Sequence, residues 1–293
     1  MKVNKYLFTA GLFFMLLFSG CQGNNIVDGI AHYAFTGTDA VDANFAVDAP
    51  SDSSNFYFGQ DNIPIEIELQ NKGYETVPLG KVALKLKGIV SDSSRFSGAK
   101  GVVRPEDDLP GIDSNGESAI VLANLGQVKY LLDLVEPVYE AKIEADICYD
   151  YTTKTKIDLF MTTDPTKAVT TLKVGDNPPA PVQIVSLSES AGASNKIIFY
   201  ITIQNTGLGE VVDQCFRPEE RGDRKQEIVT VKTEPSVICD TDAGRIELRE
   251  GQRRIKCETQ VDPKNNNYEK TFPIDLIYTY EKSISKTIQI NKE

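Results

Sequence analysis

The groups in this 293-residue chain that could do chemistry are few in kind: one histidine, five cysteines and a large stock of carboxylates. The histidine, His32, lies in a stretch without hydrophobic period. A nucleophile activated by imidazole, or a metal held by several imidazoles, therefore lacks its second member. Beyond Cys21 come Cys148, Cys215, Cys239 and Cys257; none forms a CxxC pair, and a tetrahedral zinc site is not expected. In an oxidising compartment they can pair instead. Cys239 and Cys257 bracket the hairpin-like DTDAGRIELREGQRRIK, where a disulfide would contribute about 3 kcal/mol, less any strain. Cys148 and Cys215 are left either bridged or free. Paired carboxylates could hydrolyse a glycoside, but the acids fall on outward strand faces and in loops, and no pair is singled out. Residues 104–117 carry Asp113, Asn115 and Gly116 of a calcium loop but have Gly111 and Leu122 where ligands are required. That loop and residues 240–244 read as solvated turns. The chain is expected to be non-enzymatic, with no cofactor and no metal.

The elements that would position such groups are strands. Val41, Ala43, Phe45 and Val47 alternate with small or polar residues, as do Ile65, Ile67 and Leu69, and Val82, Leu84 and Leu86. A sheet with one buried and one wet face requires this period. The pattern then repeats. YEAKIEADICYDY (139–151) returns as YEKTFPIDLIYTY (268–280), with Tyr, Glu, Asp, Tyr and Tyr at the same places. Upstream, IEIELQNKG (65–73) returns as FYITIQNTG (199–207), and LANLGQVKYLL (122–132) returns more weakly as LREGQRRIKC (248–257). Three segments in one order indicate duplication, each copy being the size of a domain of ~100–150 residues. The alignment sets Cys257 near Leu132, a core position, which suits a buried bridge. Each Asn-x-Gly is expected to make a turn that tolerates positive φ, and GDNPPAP (175–181) a semi-rigid linker. The fold expected is all-β, with two antiparallel β-sandwiches at 41–174 and 182–293.

The N-terminus reads as an export signal. Lys2 and Lys5 precede an uncharged run, 6–18, too short to span a ~30 Å hydrocarbon core. LFSGC resembles the lipobox of prokaryotic lipoproteins, with Phe18 where Leu, Val or Ile is usual. The resemblance implies removal of residues 1–20, a thioether lipid on Cys21, and anchoring at the outer face of a prokaryotic membrane. Residues 21–40 then form a tether. With 31 Lys and Arg against 42 Asp and Glu, the net charge is −11. Such a surface is repelled by phosphates, and no basic stripe interleaved with aromatics occurs, so no nucleic-acid partner is expected.

The QNKG and QNTG strand ends, the DICYDY and DLIYTY strands and the LFSGC start together resemble archaeal-type cell-surface lipoproteins with tandem immunoglobulin-like, CARDB-like domains. That resemblance implies adhesion, scaffolding or ligand display at the envelope, towards a surface protein or glycan, and transfers no catalytic residue. The charged interruption 212–226, with Arg217, Glu219, Glu220, Arg221, Asp223 and Arg224, is the candidate binding loop, because binding resides on polar loops held by a rigid scaffold. Two alternatives stand beside this reading. One is a structural subunit of a surface lattice or filament, which requires self-association through an exposed edge. The other is an envelope enzyme or accessory subunit.

Overall fold

The computed structural model describes residues 33–50, 56–58, 61–164, 177–192, 195–217, 226–264 and 267–292. The leader, Cys21 and His32 lie outside them. In chain order the strands are β1 (Val41–Phe45), β2 (Phe56–Phe58), β3 (Ile63–Asn71), β4 (Val82–Lys87), β5 (Phe96–Ala99), β6 (Ile120–Tyr130), β7 (Val138–Met161), β8 (Val182–Ala191), β9 (Lys196–Asn205), β10 (Glu210–Val212), β11 (Ile228–Thr233), β12 (Val237–Cys239), β13 (Arg245–Glu247), β14 (Gln252–Gln260) and β15 (Tyr268–Asn291). No α-helix occurs among the described residues.

Alternation builds these strands directly. In β3 the side chains of Ile63, Ile65, Ile67 and Leu69 are fully buried while Glu66 and Glu68 face outward; in β9 Ile197, Phe199, Ile201 and Ile203 repeat the pattern. Each such burial contributes roughly 1.5–3 kcal/mol. The first half of the chain forms a four-stranded sheet in the order β1-β3-β6-β5, and the second half forms its counterpart, β12-β14-β9-β8. The third sheet, β13-β11-β15-β7-β4 with β10 and β2 added at β15, curls into a half-barrel and contains strands of both halves.

Its centre is a ladder of two 24-residue strands. β7 and β15 pair antiparallel over their whole length, from Met161 opposite Tyr268 to Val138 opposite Asn291. The sequence repeat aligns Asp150 with Thr279, and the ladder sets these same two residues opposite each other. The duplicated segments therefore meet each other about a local two-fold axis through this pair. Each long strand serves both halves. The N-terminal part of β7 pairs β4 and stacks Tyr139 on Tyr130 of β6, ring centroids 5.1 Å apart. Past Asp150 it lies along β8, where Thr153 Oγ1 donates to the carbonyl of Val182 at 2.9 Å. One hydrophobic cluster runs without a break through both halves.

The all-β expectation holds, but the strands do not close into two sandwiches that each use only their own half. Residues 138–161 contain no Gly, Pro or Asn. Nothing turns the chain back at Asp150, and the strand runs on to complete its neighbour. The segments read as tether and linker also lie against this waist where they are described. Lys72 donates its N–H to the carbonyl of Ala40, Ala180 donates its N–H to that of Gly37, and Pro178, Pro179 and Pro181 are buried.

Candidate functional site

The two faces of the ladder differ at the two-fold axis. On the inner face Tyr149, Tyr151, Tyr278 and Tyr280 pack ring against ring, with centroids 5.7–6.4 Å apart. Burial pushes all four phenols upward, Tyr280 to about 12, so they act as neutral packing and hydrogen-bonding groups.

Tyr151 and Tyr280 each close an Asn-x-Gly turn. Asn71 Oδ1 accepts from Gly73 N at 2.9 Å and Nδ2 donates to the carbonyl of Glu75 at 2.7 Å; Asn205 does the same with Gly207 at 3.1 Å and Gly209 at 2.8 Å. The Tyr280 hydroxyl accepts from Gly209 N at 2.7 Å, and that of Tyr151 accepts from Glu75 N at 3.4 Å. The glycines are required for a reason other than the positive φ expected from sequence, since neither Gly73 nor Gly207 has one. A Cβ at Gly73 would stand 1.8 Å from the Tyr151 hydroxyl, and one at Gly207 2.3 Å from that of Tyr280. The QNxG and YxY motifs of each copy are thus two parts of one lock.

The outer face carries the open site. Asp150, Thr152 and Lys154 of β7, Asp275 and Thr279 of β15, Thr230 and Lys232 of β11 and Arg245 of β13 line a cleft of about 740 Å³. Glu75 and Lys81 stand at its margin. Thr279 Oγ1 donates to Asp150 Oδ1 at 2.7 Å, and Lys81 Nζ donates to Oδ2 at 2.9 Å. Lys154 Nζ reaches Glu75 at 2.8 Å. These hydrogen bonds hold both lysines above the ordinary lysine range, hence charged. Both oxygens of Asp150 accept a hydrogen bond, so Thr279 and Lys81 fix the orientation of this carboxylate. Lys232 and Arg245 remain exposed at the other wall. The cleft presents fixed charges of both signs on a rigid sheet, an arrangement suited to recognition.

The residues expected from sequence fall elsewhere. Cys239 and Cys257 stand opposite each other in the β12–β14 ladder and are joined; the second disulfide joins Cys148 to Cys215 and so ties β7 to the segment after β10. Of the candidate loop, Arg217 binds Asp213 at 2.7 Å, whereas Glu219, Glu220, Arg221, Asp223 and Arg224 lie outside the described residues. Asp113 turns its carboxylate onto the N–H groups of Asn115 and Glu117, 2.8 and 3.0 Å away, and these hold it below the usual carboxylate range. No group of three potential metal ligands occurs among the described residues. The cleft residues went unnoticed because they come from five separated segments. The one available signal was the repeat itself, since Asp275 is its recurring Asp. Two disulfides place the protein in an oxidising, extracellular-type environment. Comparison with known proteins finds no family model that matches the chain and no similar curated protein.

Proposed function

We propose that this chain is a non-enzymatic protein of the cell surface, held to the membrane by lipid on Cys21, that presents a stiff double β-body to an envelope protein or glycan. Each half follows the strand order of an immunoglobulin-like domain, with its last strand exchanged. One sheet is its own four strands; the facing sheet takes its final strand from the other half. A hinge between independent domains would let them swing; a shared 24-residue ladder resists that motion. Ligand display needs such stiffness.

The observation that supports this reading best is the cleft on the two-fold axis. Its charges are placed by a continuous ladder, and its central carboxylate is oriented by Thr279 and Lys81. The four described cysteines beyond the leader are oxidised, which removes a thiol nucleophile among them. The test is co-sedimentation of the full chain with envelope fractions. Reversing Lys232 and Arg245 to Glu is expected to reduce binding at least about tenfold, a 1.4 kcal/mol effect, with no change in melting temperature. Binding indifferent to that change and to deletion of residues 218–225 would overturn the reading. So would hydrolysis of glycosides or esters that is abolished in Asp150→Asn. Mass spectrometry of the membrane-extracted chain tests the anchor, with lipid expected on the Cys21 peptide and a lipid-free Cys21 contradicting it.

A further inference from the structure

We infer, on the reading that the outer face takes an envelope ligand, that a second cavity beside the cleft binds the anionic sugar units of an acidic glycan. This cavity of about 520 Å³ is lined by β4 and the segment after β10, and its size is ordinary for a small-ligand site. Lys81, Lys85 and Arg104 line it against one carboxylate, Asp150, which Lys81 already holds at 2.9 Å. Lys85 and Arg104 make no ion pair among the described residues. Asp146, opposite Lys85 in the ladder, is taken by Lys87 at 2.6 Å and by Ser283 at 2.5 Å. Glu106 and Asp107 follow Arg104 in the chain but do not line the cavity. In a chain of net charge −11, a recess with two cations in excess stands apart, and its walls focus that field on an anion.

The repeat makes Lys85 and Arg104 the counterparts of Lys232 and Arg245 in the cleft. Lys85 stands opposite Asp146 as Lys232 stands opposite Asp275, and these two are the recurring Asp of the duplicated strands. Arg104 follows Val103, whose carbonyl accepts from the N–H of Leu84 at 2.8 Å. Arg245 follows Gly244, whose carbonyl accepts from that of Val231 at 2.7 Å. In the cleft Glu75, Asp150 and Asp213 each have a cation of their own, Lys154, Lys81 and Arg217, which leaves Lys232 and Arg245 against Asp275. Each half therefore carries a lysine and an arginine, outside any ion pair among the described residues, at the same place relative to the two-fold axis.

The rest of the wall favours a sugar over a peptide. Gln214 and Phe216 line the cavity beside the cations. Phe216 has φ +52°, a left-handed backbone that a bulky residue rarely adopts. Its N–H donates to Glu281 at 2.9 Å, and the preceding Cys215 is joined to Cys148, so the segment is held in that conformation by two ties. A uronate unit offers C–H groups to an aromatic ring, hydroxyls to an amide and a carboxylate to the two cations. An acidic peptide would add to an open strand edge, but on this face β7 and β15 are paired to each other throughout. A polymer that crosses the axis would set anionic units on both cation pairs, its second contact being intramolecular.

The experiment is calorimetric titration of the full chain in mild detergent with a galacturonate trimer, the neutral galactose trimer, polygalacturonate and a polyglutamate peptide of matching length. The acidic trimer is expected to bind and the neutral one not to. K85E/R104E should weaken trimer binding at least about tenfold without lowering the melting temperature. Lys129→Glu, a charge reversal on β6 of another sheet, should leave it unchanged. The polymer should bind more tightly than the trimer, and K232E/R245E should remove that gain. The inference is overturned if the acidic trimer does not bind, if K85E/R104E binds it like the native chain, or if Lys129→Glu weakens it equally. It is equally overturned if polyglutamate binds as tightly as the polymer, or if the polymer binds no better than the trimer. Envelope co-sedimentation that persists while the trimer fails strikes the glycan assignment alone; loss of both strikes the reading of the outer face as well.

Discussion

In the first half of the molecule Asn71, Gly73 and Tyr151 lock a turn onto the ladder; in the second, Asn205, Gly207 and Tyr280 do the same with the same bonds. Away from the axis the halves part company. The first half pairs β2 parallel to the end of β15, Phe56 opposite Gln289. The repeat sets Phe160 of β7 at the place of Gln289, but there the N–H of Phe160 is met by the carboxylate of Glu189 at 3.2 Å. The second half has a disulfide within its own sheet, whereas the other disulfide crosses between halves. What is duplicated without change is what the two copies need to hold each other.

The disulfides give the largest expected contrast. Replacing Cys148 and Cys215 together by Ala opens a loop of 67 residues and should cost about 4 kcal/mol, against about 3 kcal/mol for the Cys239–Cys257 pair with its separation of 18. Urea unfolding of the two double variants measures the difference. Equal losses would mean that the cross-link between halves constrains no more than the local one.

The locks come next. Gly73→Ala and Gly207→Ala each force a methyl onto a tyrosine hydroxyl and should destabilise by about 1–3 kcal/mol. Adding Tyr151→Phe to the first, or Tyr280→Phe to the second, should recover part of the loss, because the partners couple. Strictly additive effects in one half would show that the lock operates only in the other.

The smallest effect concerns Glu189. It is 4 % exposed, and burial raises its carboxyl from 4.5 to about 7. A folded value above the unfolded one means that the protonated form is the stabilised one. The contribution is complete below pH about 4.5 and is lost as pH rises through about 7. Glu189→Gln should keep the Phe160 bond and remove this loss, stabilising by about 1–2 kcal/mol at pH 8 relative to native. Parallel pH dependences for the two proteins would place the titration elsewhere.

Much of the fold was legible because apolar residues at every second position state which face is buried. Ile65 to Leu69 could be read as a strand with its inner face assigned, and the repeat carried that reading to Phe199 to Ile203. The duplication was equally plain. What alternation does not state is which strand completes which sheet. The unbroken period through Tyr149, Asp150 and Tyr151 was compatible with a strand pair folded within one half, and only the register shows that it continues into the other. The cleft was hidden for a related reason, since Lys81, Lys154, Lys232 and Arg245 become neighbours only when the sheet curls. The Asn-x-Gly motif was seen, but its reason was not, because the Tyr hydroxyl that excludes a side chain there lies far away in sequence.

Pairing of β7 with β15 beyond Asp150 in both directions is the claim on which all of this depends. Spin labels on cysteines introduced at Lys142 and Thr287, exposed residues that face each other in the ladder, test it most directly. Opposed residues in an antiparallel pair have Cα atoms about 4.5–5.5 Å apart, so the labels should show strong dipolar broadening. Labels that broaden only weakly, as they would if each half closed on its own strands, would contradict it.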